Sequence, residues 1–276
     1  MKDSTKNDIL KRHNVQVWGS GSTTLFFAHG MGCDQKVWRL ITPAFEADYT
    51  IVAFDYIGSG KSDRSAYNKD KYSSLPGYAA DMQDICAALA LQNVVLVAHS
   101  VSSMIGVLAA IDNPALFNAI VMIGPSPSYI NTKGYTGGFE RNEIEALLSL
   151  MKKNYRKWAG AFAPQAMGNA DKPELSQDLN ESLCSADPAI TLDFARLTFL
   201  SDNRNDLPKL QTPCLILQTA DDIVAPLHVG AYMHQAIPGS TLVYMKATGH
   251  FPQLSAPEET IKEIKKYLEK GTHTKT

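Results

Sequence analysis

Five short runs of this 276-residue chain are apolar almost from end to end: 23–28 (TTLFFA), 50–54 (TIVAF), 93–98 (NVVLVA), 119–123 (AIVMI) and 213–218 (PCLILQ). Residues 241–246 are a sixth candidate. A strand with water on one face alternates apolar and polar residues, whereas one covered on both faces does not. The runs therefore predict buried strands, and the segments between them predict what covers the sheet. Leu75, Tyr78, Ala79, Met82, Ile85, Cys86 and Leu89 recur every three or four residues and form one helical stripe. Ile261, Ile264, Tyr267 and Leu268 do the same near the end of the chain. Strand and helix in alternation predict an α/β fold, a mostly parallel central sheet with helices on both faces.

The alternation stops between 123 and 213, where only helical signals occur. A turn cluster, Gly124, Pro125, Ser126, Pro127, opens this stretch. Helices are predicted over 140–152, with Ile144, Leu147, Leu148 and Met151 on one side, and over 154–167, with Trp158 and Phe162 four apart. A third starts at Pro173 and carries Leu175, Leu179 and Leu183; a fourth starts at Asp187, an N-cap followed by a proline. These helices cannot bury their apolar faces alone and must rest on the core. The expected division is an α/β core of 1–125 and 202–276 with a helical lid of 126–201. A lid would lie over the carboxyl ends of the strands, where open α/β sheets bind ligands; an extra packing layer is the alternative.

Composition narrows the function. Hydrophobic residues make up 45% of the chain, too many for a disordered one. Twenty-eight acidic and 26 basic side chains leave a net charge of −2, with no excess of cations to hold nucleic acid or an anionic membrane. No apolar run has the length of a bilayer span, and the polar residues 1–14 lack the core of a secretory signal, so a cytoplasmic location is expected. Cys33, Cys86, Cys184 and Cys214 form no CxxC pair and no zinc spacing, and read as reduced thiols.

The most informative segment is NVVLVA-HS-VSSMIGVLAAI, a buried strand running through His99 and Ser100 into an apolar helix. A serine on such a sharp strand-to-helix turn projects its hydroxyl above the sheet. The G-x-S-x-G pattern is met only in size, by Ala98 and Ser102. Ser100 as a plain helix cap is the competing reading. A serine nucleophile needs a base and an orienting acid, in the order Ser, acid, His. The run 213–218 leads into Asp221 and Asp222, and the spacing from Asp222 to Pro226 selects Asp222, leaving Asp221 as a solvated carboxylate. The run 241–246 leads to Gly249 and His250. Of seven histidines, His250 alone fits the order: His13 and His273 lie near the termini, His228 and His234 in a helical stretch, and His99 beside Ser100. An oxyanion needs two backbone N–H donors, expected from Val101 after the nucleophile and from Met31 in the HGMG turn after the first apolar run.

Beyond these residues, the strings HGMGCDQKVW, FDYIGSGKSD, AHSVSSMIG, GPSPSYIN, NYRKWAGAFAP, DPAITLDFA, FLSDNRNDL, TADDIVAP and GHFPQLS run through most of the chain. Together they resemble the α/β-hydrolase superfamily, and within it the branch of the bacterial stress-signalling protein RsbQ and the plant karrikin and strigolactone receptors, leaning toward the bacterial member. The resemblance implies an α/β-hydrolase fold with a four-helix lid, a triad of Ser100, Asp222 and His250, oxyanion donors at Met31 and Val101, and an enclosed apolar pocket. It implies a pocket lining of Tyr129, Phe139, Leu147, Trp158, Phe162, Phe199 and Val224. The branch usually has phenylalanine where Met31 stands and glycine where Ala98 stands.

The expected function is a serine hydrolase of small hydrophobic esters or lactones, needing no metal or organic cofactor and acting in ligand sensing or stress signalling. By resemblance, a regulatory partner such as a phosphatase lies downstream. A metabolic carboxylesterase or lactonase with no partner is the alternative, as is an acyltransferase or lyase on the same three residues. Turnover separates sensing from metabolism; the motifs do not.

Overall fold

The computed structural model describes residues 3–270; His273 lies outside them. Among the described residues the strands are β1 (Gln16–Gly19), β2 (Thr24–Ala28), β3 (Thr50–Ala53), β4 (Val94–His99), β5 (Ala119–Ile123), β6 (Cys214–Ala220) and β7 (Thr241–Thr248). The α-helices are α1 (Asp3–Arg12), α2 (Leu75–Ala88), α3 (Val101–Asp112), α4 (Arg141–Lys153), α5 (Tyr155–Met167), α6 (Pro173–Ser185), α7 (Pro188–Leu200), α8 (Leu227–Ala236), α9 (Pro252–Ser255) and α10 (Pro257–Glu269). No helix among them is long and apolar enough to cross a membrane.

The strands form one sheet in the order β1-β3-β2-β4-β5-β6-β7. Every pairing is parallel except that of β1 with β3. The mostly apolar strands β2, β4 and β5 are buried along their whole length, as a sheet covered on both faces requires. Register sets the site. Ala28 pairs with Ala98, His99 with Ile123, and Ala220 with Thr248, so the loops after β2, β4, β6 and β7 all leave from one edge. β1 and α1 are additions to the predicted elements. β1 is a four-residue, largely exposed edge strand with no apolar run, and α1 carries mostly polar residues.

The stretch between β5 and β6 holds α4 to α7, matching the four predicted helices. Asn154 caps α5 by accepting from Lys157 N–H, and Asp187 caps α7 by accepting from the N–H groups of Ala189 and Ile190. Their apolar faces pack inward. Ile144, Leu148 and Met151 of α4 and Leu175, Leu179 and Leu183 of α6 are buried. Phe194 of α7 stacks on Tyr78 of α2, with ring centroids 4.4 Å apart. Where the chain leaves for the helices and returns from them, the two passes are tied together. Ser128 bridges Asp202, and Asn203 N–H donates to the Pro127 carbonyl at 2.7 Å.

Candidate active site

Ser100 follows β4 at the N-cap position of α3, with φ 58° and ψ −128°. That backbone region is costly for any residue with a Cβ, roughly 1–3 kcal/mol. The strain persists because both backbone polar groups of Ser100 are fixed. Ser100 N–H donates to the Ile123 carbonyl at 2.9 Å, and its own carbonyl accepts from Ser103 N–H at 2.9 Å. The side chain caps nothing. Instead its Oγ lies 2.8 Å from His250 Nε2.

His250 comes from the loop after β7, and its Nδ1 lies 2.7 Å from Asp222 Oδ2. Asp222 sits in the turn after β6. Its other oxygen, Oδ1, accepts from Val224 N–H at 2.8 Å and Ala225 N–H at 3.0 Å. The Gln218 side-chain amide ties the same turn to the Ala225 carbonyl. A carboxylate only accepts, so His250 Nδ1 carries the hydrogen and Nε2 accepts the Ser100 hydroxyl proton. All three side chains are buried. Asp221, the neighbouring carboxylate, is exposed.

The loop after β2 presses against this serine. A Cβ on Gly30 would lie 3.2 Å from Ser100 Cβ and 2.7 Å from His99 Nδ1, so only glycine allows the approach. The peptide joining Gly30 to Met31 is oriented by its carbonyl, which accepts from His29 Nδ1–H at 2.8 Å and from Cys33 N–H at 3.3 Å. The His29 tautomer follows from its other nitrogen, Nε2, which accepts from Tyr56 N–H at 3.2 Å. Burial, above all, holds the His29 pKa down and keeps the ring neutral. In a trans peptide the N–H points away from the carbonyl, so Met31 N–H faces away from the His29 ring. Val101 begins α3, where an N–H has no acceptor within the helix. Ser102, at the position where the motif carries glycine, does more than stay small. Its Oγ donates to the His29 carbonyl at 2.5 Å and lies 2.9 Å from the Tyr56 hydroxyl.

His99 donates from Nε2 to the His250 carbonyl at 2.8 Å. Burial first, and then the neighbouring His250, keep its pKa well below the ordinary value. Cys33 is buried, and burial pushes its thiol far up, so it remains an unreactive packing residue. Among the described residues no cluster of His, Cys, Asp and Glu is placed to hold a metal ion.

A cavity of about 20 Å³ lies over Ser100, room for roughly one water. Met31, Tyr129, Phe162, Phe199 and Val224 are among its walls, together with His99 and His250. Three of the expected lining residues are not in this wall. Phe139 packs edge-on to Phe199, Trp158 stacks on Phe162, and Leu147 of α4 packs against the core. Aromatic side chains that line a cavity need such backing, and sequence spacing does not separate the two layers. Thr198 and Phe251 are cavity residues that the motifs did not single out, although each adjoins one that was considered. The Tyr129 hydroxyl is buried in this cavity beside the Ser100 side chain; burial raises its pKa more than the Ser100 hydroxyl lowers it, so it stays a donor. A larger groove, about 410 Å³, lies between Cys33, Arg39 and α6 and contains none of Ser100, Asp222 and His250.

A family model described as "Alpha/beta hydrolase family" matches residues 25–263. A strigolactone esterase of Arabidopsis thaliana is 38% identical over 96% of this chain and 99% of its own length. A karrikin insensitive 2 receptor of Petunia hybrida is 37% identical over 94% of this chain and 97% of its own length. Among solved structures, a hydrolase from Oleispira antarctica superposes with a TM-score of 0.93 at 41% identity, covering 96% of this chain and 97% of that one.

Proposed function

The chain belongs to the α/β-hydrolase family, and from that premise we propose that it is a serine hydrolase of small hydrophobic esters or lactones whose role is to sense its ligand. The observation that carries the reading is the unbroken path from Ser100 Oγ through His250 to Asp222, two links of 2.8 and 2.7 Å. His250 takes the Ser100 proton as Oγ attacks the carbonyl carbon. Asp222 holds the imidazole in the required tautomer and stabilises the cation that forms. The N–H groups of Met31 and Val101 receive the oxyanion. The proton on His250 then passes to the leaving alkoxide, water attacks the acyl-serine, and the acid is released. The chemistry needs no metal or organic cofactor.

The apolar walls fit a small hydrophobic acyl or lactone group, and the Tyr129 hydroxyl offers one donor to a second oxygen of the ligand. The four helices between β5 and β6 act as a lid. Their cavity is far smaller than the ~300–1,000 Å³ of ordinary ligand sites, so a ligand enters by displacing them. A lid that changes shape on binding suits a sensor, and the receptor relatives support that role. Its finer form, an RsbQ-like protein read by a regulatory partner such as a phosphatase inside the cell, follows the same logic.

The test is steady-state hydrolysis of a chromogenic short-chain ester by the wild type and by Ser100→Ala. Loss of at least about 10³-fold in the variant is expected, and unchanged turnover would remove Ser100 from the role. Turnovers per hour with a large ligand-induced melting shift fit a sensor. A kcat near ~10 s⁻¹ fits a metabolic esterase.

A further inference from the structure

His250 stands in a short loop between β7 and α9, with no ladder or helix of its own to fix its backbone. Its two backbone polar groups are held from opposite layers. The carbonyl accepts from His99 Nε2–H at the end of β4, on the sheet side. The amide donates 2.8 Å to the carbonyl of Ala166, in the last turn of α5. Carbonyls in a helix's last turn lack donor partners within the helix, so the base's amide and the helix end satisfy one another.

The turn that follows α5 continues the contact. Asn169 spends both hydrogens of its side-chain amide on backbone carbonyls: one donated to Met167 at 2.9 Å, the other to Thr248 at 3.1 Å, two residues before His250. Its own backbone has φ 53°, a region that asparagine enters more readily than most residues. The approach is close enough to forbid a side chain opposite. Gly249 has φ 78°, and a Cβ there would sit 2.1 Å from the Met167 carbonyl oxygen. On the far flank Lys172 Nζ donates to the Ser255 carbonyl in α9 at 2.8 Å. Residues 166–172 thus grip the His250 loop at Thr248, at His250 itself and at Ser255.

We propose that the turn between α5 and α6 is a clamp that positions His250 for proton transfer, and that Asn169 is its positioning side chain. The inference rests on the reading of His250 as the general base. Catalytic groups must be held within about 0.5 Å of their working geometry, and an error near 1 Å costs on the order of 10²-fold in rate. The imidazole hangs from a backbone whose amide is fixed by α5, while the two residues before it are held by β6, through Ala220 and Thr219, and by Asn169 at Thr248. Apart from the bond to His250 itself, none of residues 166–172 lines the cavity, so loosening the clamp disturbs the base and leaves the other ligand contacts alone.

The experiment compares wild type, Asn169→Asp, Asn169→Gly and His250→Ala in hydrolysis of p-nitrophenyl acetate, with the melting temperature of each recorded. Asn169→Asp keeps the shape but turns two donors into acceptors facing two carbonyls. Asn169→Gly removes the donors while adopting the positive φ without strain, which guards against a variant that fails to fold. Both are expected to lower kcat by about 10–100-fold at temperatures where they remain folded, with KM within about twofold of wild type. A part that served only to hold the fold together would lower melting temperature with no such split. The proposal is overturned if both folded variants keep kcat within twofold of wild type while His250→Ala is inactive. If His250→Ala itself retains wild-type kcat, the base assignment fails, and the clamp's role fails with it.

Discussion

Ser100 is held in a conformation that its side chain opposes, because a relaxed serine would bury its hydroxyl in a helix cap. Two substitutions separate conformation from chemistry. Both Ser100→Gly and Ser100→Ala remove the hydroxyl, but only glycine is at ease at φ 58°. The glycine variant is therefore expected to be the more stable of the two by about 1 kcal/mol in chemical denaturation. Equal stabilities would mean that the turn stores no strain. Tyr129 makes the complementary case. The one polar side chain its buried hydroxyl meets is that of Ser100, so it ties no other part of the fold. Tyr129→Phe is thus expected to melt at or above the wild-type temperature, while raising the KM for an ester that carries a second acceptor oxygen. A marked drop in melting temperature would show that the hydroxyl serves the fold instead. Neither the strain nor the placement of this donor beside Ser100 is legible in the sequence. Residue order indicates Ser100, Asp222 and His250 as partners, but dihedral angles and hydrogen bonds depend on elements distant along the chain.

Helices and strands with strong periodicity were readable because burial on one or both faces leaves a pattern: α2 by its stripe, β2, β4 and β5 by their unbroken apolar runs. β1 left no pattern, since an edge strand of four residues with three exposed needs no apolar side. The layer beneath α1 and α2 was equally hidden. His13, just beyond α1, lies 3.5 Å from the fully buried Asp81 of α2, which also takes Lys71 Nζ at 2.6 Å and the Tyr72 hydroxyl at 2.9 Å. Burial alone would raise the Asp81 pKa, but the hydrogen bonds and charges of His13 and Lys71 outweigh it and hold the carboxyl below its ordinary value. A carboxylate depressed in the folded state stabilises the fold above its unfolded pKa of about 3.9, and that contribution disappears as pH falls through the folded value. Thermal unfolding of Asp81→Asn is therefore expected to show its largest deficit at neutral pH and a smaller one below pH 3. A deficit that does not change with pH would contradict this account.

The molecule as a whole is two layers sharing one site. The sheet side supplies Ser100 and Asp222, the helices between β5 and β6 supply Phe162, Thr198 and Phe199 of the cavity wall, and His250 is held by both. The layering followed from the break in strand–helix alternation, whereas the split between wall residues such as Phe162 and backing residues such as Trp158 did not, because both lie on the same helix at helical spacing. Hydrogen exchange should report the shared loop: amides of 248–251 and of the turn after α5 are expected to gain or lose protection together when ligand binds, and independent behaviour would argue against a common unit. The most direct test of the central claim is mass spectrometry after treatment with a fluorophosphonate, which traps an activated serine. The account predicts a single adduct on the peptide carrying Ser100, absent in Ser100→Ala and formed at least about 10²-fold more slowly in His250→Ala. An adduct on another residue, or labelling of Ser100 at the same rate without His250, would contradict it.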